Sequence, residues 1–456
     1  MVFFRLTVKF ILLIRNIFLR KRLKKIYSLK ERIRMKELLM KNRNFASLFF
    51  GRLVTNMGDS IYYVAAMWLV YELGGSVFYT GLAGFLTLLP GTLQFLVGPL
   101  VDKWPIQKML VRTQIIQAIL VMLIPLAHFM EFLTVSFILI IMPIISALNQ
   151  FTYPGQAAIL PRIVRKDQLV KSNSLFSFAF QGVDLAFNAL AGILITLVGA
   201  ITLYMIDVVT FIAAAILFSL LNMKSETKLK EKQSIGSAFE EYKNDLFEGF
   251  SIVFKSHLAK FLLGSIVANF AIGSIYAILP AFADDRGGSE LYGLYLAAIS
   301  GGALIGAIGA SWFERYPLGK LTIVLFFLGG TTWMISGFIT MNGLSILLFG
   351  LSWIPIGATN VIMGAALQSI VPQHLLGRIF SVTASLGAMA MPFGSLIGGY
   401  LAEIFGSTSV YIGSAGGILF ISLVWILNKT LRSLPHTSEL NPEEIGLADE
   451  SVTASS

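Results

Sequence analysis

The sequence predicts an all-α membrane protein with twelve transmembrane helices in two parallel six-helix bundles. Three observations carry that prediction. Of 456 residues, 56% are hydrophobic and only 13% charged, about half the charge of a soluble domain. Apolar runs near the roughly 20 residues that a helix needs to cross a bilayer recur to the end of the chain. A short charged turn is written twice, "DKWPIQK" at 102–108 and "ERYPLGK" at 314–320, 212 positions apart (314 − 102).

Residues 1–43 carry fourteen Lys/Arg against Glu31 and Glu37, or +12. The net charge of +10 therefore leaves about −2 for the remainder (10 − 12), and the basic balance says nothing about nucleic acid. This extension has two open readings: an amphipathic helix lying on anionic lipid, or a start placed too far upstream, with Met35 and Met40 as alternatives. No small-residue cleavage site supports a signal peptide.

The twelve spans fall at about 45–71, 78–101, 108–129, 132–155, 173–198 and 201–222, then 258–282, 289–312, 321–341, 344–367, 379–402 and 408–428. A polar linker, 223–257, divides six from six, and an acidic tail occupies 429–456. The N-terminal bundle is thus 44–222 and the C-terminal bundle 258–428. Strands fail as an alternative, because unpaired strands cannot cross lipid and the runs do not alternate. Lys and Arg concentrate in the loops after even-numbered spans, at Lys103, Lys108, Arg112, Arg162, Arg165, Arg315, Lys320 and Arg378. The positive-inside rule makes that face cytoplasmic, together with both termini.

The repeat extends beyond the turn. "TGL" at 80–82 falls on "YGL" at 292–294 with the same shift of 212, and "IVRKDQLVK" at 163–171 resembles "IVPQHLLGR" at 370–378 with a shift of 207 (370 − 163). Six spans is an even number, so the copies are parallel, related by an axis along the membrane normal.

Cysteine is absent, which excludes thiol chemistry and disulfides. The four histidines have no metal-ligand spacing. No nucleophile–base pair appears, and no GxxxxGK[ST] supports direct ATP coupling. An enzyme reading, a metal and a cofactor are therefore not expected.

Polar groups inside the spans point to a path for solute. Charge near the bilayer centre is costly and faces a cavity or a partner. Span 1 holds Arg52, Asn56, Asp59 and Tyr63, at spacings of 4, 3 and 4 on one helical face. Arg52 and Asp59 lie two turns apart, roughly 10 Å. Span 5 repeats the device with Ser177, Gln181, Asp184 and Asn188, while the matching part of span 11 is small or apolar. Asp184 is the leading acid, Asp59 the second, and Asp207 in span 6 a weaker candidate that could also be a structural pair. Spans 7–10 offer Asn269, Tyr276, Trp333, Trp353, Asn360 and Gln368 instead. Aromatic and amide groups suit a large amphiphile, bound by area and a few hydrogen bonds, though each can equally serve packing.

"GPLVDKWPIQK", with Gly98, Leu100, Asp102, Lys103 and Lys108, resembles the loop after span 2 of the major facilitator superfamily. The resemblance covers about 45–430, and "GRLVTNMGDSIYYVAAMWLVYELGGS" (51–76) and "MPFGSLIGGYLAEIFG" (391–406) look like its macrolide-efflux and siderophore-exporter branch. It implies a secondary transporter in the cytoplasmic membrane of a bacterium, exporting a hydrophobic or amphiphilic small molecule by alternating access, with protons as the coupling ion. It also implies a gating role for Gly98, Asp102, Lys103 and Lys108 and for their repeats Glu314, Arg315 and Lys320. The chain departs from proton-coupled drug exporters in lacking an Arg in span 4 and a Gly-Pro hinge in span 5. An importer, a lipid flippase and a non-transporting membrane sensor remain open alternatives.

Overall fold

A computed structural model describes residues 41–92, 105–165, 168–222, 250–371 and 373–441. Among them, ten helices are long and apolar enough to cross a membrane, and a shorter apolar helix covers Val77–Thr92. Arg43–Gly74 is a further helix of 32 residues, whose polar stripe lowers its hydropathy. The described residues thus accommodate twelve spans (10 + 1 + 1). The extension 1–40 and most of the linker, 223–249, lie outside the described residues.

Spans 1, 2 and 3 are Arg43–Gly74, Val77–Thr92 and Ile106–Phe129. Span 4 is two helices, Val135–Asn149 and Thr152–Ile163. Spans 5–9 are Leu169–Val198, Ala200–Ser219, Leu258–Asp284, Ser289–Phe313 and Leu318–Phe338. Span 10 is again two helices, Asn342–Ser352 and Ile354–Ile370, and spans 11 and 12 are Gln373–Phe405 and Ser407–Leu427. The fourth and tenth spans each contain a break that the sequence reading did not address. Each breaks just before a proline, Pro154 or Pro355, in the first turn of the helix that follows. There its missing N–H costs nothing, while an unbroken helix would suffer its clash.

The repeat survives in three dimensions. Spans 5 and 6 join through one residue, Gly199, at φ 80°, and spans 11 and 12 through Gly406, at φ 83°. These are 207 positions apart (406 − 199), the shift of the second sequence match. Only glycine takes this left-handed backbone without strain.

Within each half the helices pack as neighbours: span 1 with 6, span 3 with 6, span 7 with 11, and span 12 with 7 and 9. The halves meet where span 2 packs on span 11 and span 5 on span 8. One end of the bundle exposes Lys108, Arg162, Arg165, Arg315 and Lys320 and is called the basic face. The other exposes Glu72, Glu131, Asp284, Asp285, Glu290 and Glu403 and is called the acidic face.

Candidate functional site

The two polar stripes come together. Ser60 of span 1 donates to Asp184 Oδ1 of span 5 at 2.8 Å. One residue earlier, Asp59 hydrogen-bonds to Asn149, at the break in span 4, and lies within electrostatic reach of Arg52 and Asp184. Arg52 Nε donates to Gln156 Oε1 in the second helix of span 4 at 2.7 Å, and the pair is buried. Thr55 donates to Gln114 of span 3 at 3.0 Å, and Gln114 to Gln117 at 3.0 Å. Spans 1, 3, 4 and 5 are therefore cross-linked by polar side chains. Asp59 and Asp184 are half-buried, neither turned wholly to lipid nor sealed.

Asn149 and Gln156 were not singled out by the sequence. They stand on either side of the break in span 4, seven residues apart, and the sequence alone held no signal that both would face span 1. Ser60 carried none beyond its neighbour.

Asp207 is different. It has no accessible surface. Its Oδ1 accepts from Thr210 at 2.9 Å, and it fills the space that a side chain on Gly58 would need. Its Oδ2 and the nearby Tyr62 and Tyr204 hydroxyls have no partner. Asp207 thus belongs to the seam between spans 1 and 6 rather than to the surface shared by Asp59 and Asp184. Asn56 is also buried, with an unpartnered Oδ1. Gln181 and Asn188 are half-buried, and Asn188 donates across the halves to Ser300 at 3.4 Å.

The second half contributes rings. Tyr276 of span 7 meets Tyr63 of span 1 edge to face, with centroids 6.2 Å apart, and lies within reach of Asp184. Nearer the acidic face, Tyr292 of span 8 stacks on Trp68 of span 1 at 6.2 Å. Trp333 and Trp353, for which the sequence left ligand contact and packing both open, are packed with Phe349 and Tyr411. Trp333 has no accessible surface and donates to the Tyr411 carbonyl at 3.1 Å. Asn269 donates to its own helix, to the Ser265 carbonyl at 2.9 Å, and Asn360 is exposed.

The acidic end is closed. A β-carbon on Gly81 would strike the Gly399 Cα and the Ser395 carbonyl, and one on Gly192 the Gly293 Cα and the Ser289 carbonyl. These are one contact made twice: Gly81 and Gly293 are 212 positions apart (293 − 81), and Gly192 and Gly399 are 207 apart (399 − 192). Polar bonds flank both pairs. Glu403 Oε2 accepts from Ser76 Oγ at 2.6 Å and from the Val77 N–H at 3.1 Å, and Thr196 and Ser289 share a hydroxyl hydrogen bond of 2.7 Å. Tyr71 donates to Asp284 at 3.1 Å.

Of the gating residues, Gly98, Asp102 and Lys103 lie outside the described residues. Lys108, Glu314, Arg315 and Lys320 are exposed at the basic face. Arg315 folds back on its own helix, donating to the Trp312 carbonyl at 2.9 Å with its guanidinium 5.1 Å from the Trp312 ring centroid.

Residues 39–448 match the family described as transmembrane secretion effector. The chain is 24% identical to macrolide efflux protein A of Streptococcus pyogenes over 402 residues, 86% of this chain and 97% of that one. It is 23% identical to the multidrug efflux pump Tap of Mycolicibacterium fortuitum over 409 residues, covering 86% and 97%. Two solved structures share the fold. One is a bacterial homologue of the iron transporter ferroportin in an inward-facing state (TM-score 0.66, 17% identity, 86% of this chain and 99% of that one). The other is the nucleoside transporter NupG (TM-score 0.66, 11% identity, 84% and 98%).

Proposed function

The chain belongs to the transmembrane secretion effector family, whose members are membrane transporters and not enzymes, and from that premise we propose that it exports a hydrophobic or amphiphilic small molecule in exchange for protons. In this reading the basic face is cytoplasmic, which the distribution of Lys and Arg supports, with both termini on that side of the inner membrane of a bacterium. The acidic face is then external, and the two glycine pairs make the structure an outward-closed state.

The observation that carries the reading is the bond between Ser60 and Asp184, beside Asp59 and against Tyr276 of the other half. A half-buried acid between two rocking halves can take a proton in one state and release it in the other. A transporter needs such a group, because bound ion and bound substrate must bias two states differently. The positive charge missing from span 4 is supplied by Arg52 and pinned onto span 4 by Gln156. The gate opposite the glycine pairs is assigned to the basic loops, Gly98–Lys108 and Glu314–Lys320. Substrate area is offered by Tyr63 and Tyr276, with Gln181 and Asn188 as hydrogen-bonding groups.

Proteoliposomes carrying the protein test this. A lipophilic macrolide or cationic dye should move out of the compartment facing the basic side when the other side is acid. It should stop when the gradient is collapsed. Movement that ignores the gradient and survives Asp184→Asn overturns the coupling. Uptake, or movement of labelled lipid alone, overturns export.

A further inference from the structure

Among the described residues, the two copies of the charged turn make different contacts. In the first, Gln107 reaches from the turn to the end of span 6, donating to the Ser219 carbonyl at 2.9 Å. The equivalent position in the second is 319 (107 + 212), a glycine with no side chain to reach with. There the chain itself comes to the turn. After span 12, Asn428 caps a short helix, Lys429–Arg432, accepting from the Thr430 and Leu431 N–H groups at 3.1 and 3.2 Å. The chain then runs under span 9. The Pro435 carbonyl accepts from the Leu318 N–H at 2.9 Å and the Leu434 carbonyl from the Gly319 N–H at 3.3 Å.

The fit depends on the glycine. A β-carbon at 319 would run into the Leu431 and Arg432 carbonyl oxygens. Leu431 and Leu434 are buried at 0% and 3% exposure, within the main core. Farther on, the turn Thr437–Glu439 touches the second helix of span 10. Leu440 packs against the cluster of Val253, Leu258, Leu262, Val371, Ile379 and Val382. Residues 428–440 therefore tie the basic-face ends of spans 7, 9, 10, 11 and 12 to one another. The first two orphan N–H groups of span 9, Leu318 and Gly319, are satisfied by this segment, where a helix start is otherwise left to water or a side chain.

We propose that residues 428–440 are a strap that fixes the second gating turn, with Gly319 as its positioning residue. That turn rides as a rigid block with the C-terminal half. The gating consequence rests on the export reading; the strap itself does not.

The test uses the full-length protein in lipid nanodiscs and proteoliposomes. Gly319→Ala pushes the strap away, and Gly343→Ala, where an added methyl meets nothing within 4 Å, is the control. Amide exchange at Leu318 and Gly319 is expected to rise about tenfold in Gly319→Ala, the worth of about one hydrogen bond. Export turnover should fall about tenfold while apparent substrate affinity holds within about twofold. Asn428→Ala, which uncaps the strap without touching span 9, should act in the same direction more weakly, and it serves if Gly319→Ala does not fold. Wild-type amides at these positions that exchange as fast as an exposed loop overturn the proposal. So does a variant whose amides open while turnover stays at the wild-type level. Exchange needs no substrate, so a protein that moves none of the tested compounds still decides the strap, and that failure counts against export alone.

Discussion

Gly81 touches Gly399 and Gly293 touches Gly192, so spans 1–6 and 7–12 present each other with the same surface twice. Deeper inside, the likeness ends. The first half crosses its interior with Arg52–Gln156, Asp59–Asn149 and Ser60–Asp184. The second fills its own with Trp333, Phe349, Trp353, Tyr295, Tyr411 and Phe282. Where two backbones must approach closely, any side chain is an obstruction, and both copies stay glycine. Where side chains are free to differ, one half holds polar groups that can change partners. The other holds interlocked rings that resist rearrangement, and Phe282 stacked on Tyr411 at 4.0 Å is the tightest of them. The contrast predicts a division of labour, with a responsive half rocking against a stiff one.

The largest expected effect lies in the polar half. Asp184→Asn should reduce gradient-driven export to background while the protein still folds and inserts, read as dye efflux from proteoliposomes under an imposed gradient. Retained coupling would erase the contrast between the halves. The stiff half should fail in another way. Trp333→Ala removes a fully buried ring and is expected to cost about 3–5 kcal/mol of stability. Its loss of transport should parallel loss of folded protein in a detergent unfolding curve. A folded but inactive Trp333→Ala would place function in the rings.

The shared surface gives a smaller, symmetric prediction. Gly81→Leu and Gly293→Leu stand at equivalent positions, and each wedges apart one of the paired contacts. Overpacking of this kind costs about 1–3 kcal/mol, enough to shift the population toward the outward-open state about tenfold. A cysteine placed at Tyr276 should become reactive to a membrane-impermeant thiol reagent added at the acidic face, equally in both variants. Unequal effects would mean that the two contacts no longer act as copies. The mildest test is Ser60→Ala. It removes one hydrogen bond to Asp184, about 1 kcal/mol, and should slow export a few-fold with the gradient dependence retained.

Much of this was legible beforehand. Hydrophobic length and the placement of Lys and Arg are properties of the chain alone, because the bilayer reads them one segment at a time. The number of spans followed from the apolar runs, and the duplication from "TGL" and "YGL", from the twin turns, and from the 207 shift that reappears at Gly199 and Gly406. Helical spacing likewise put Arg52, Asn56 and Asp59 on one face and Gln181, Asp184 and Asn188 on another. Which faces meet is a different matter. Whether Asp207 lines a path or seals a seam depends on Gly58 and Thr210, and whether Trp333 greets a ligand or a Tyr411 carbonyl depends on span 12. Asn149 and Gln156 gained their roles from a break before Pro154 and from the approach of span 1. Periodicity fixes the direction of a side chain about its own helix axis, but the partner it finds is set by how distant helices pack, and that exists only in the folded bundle.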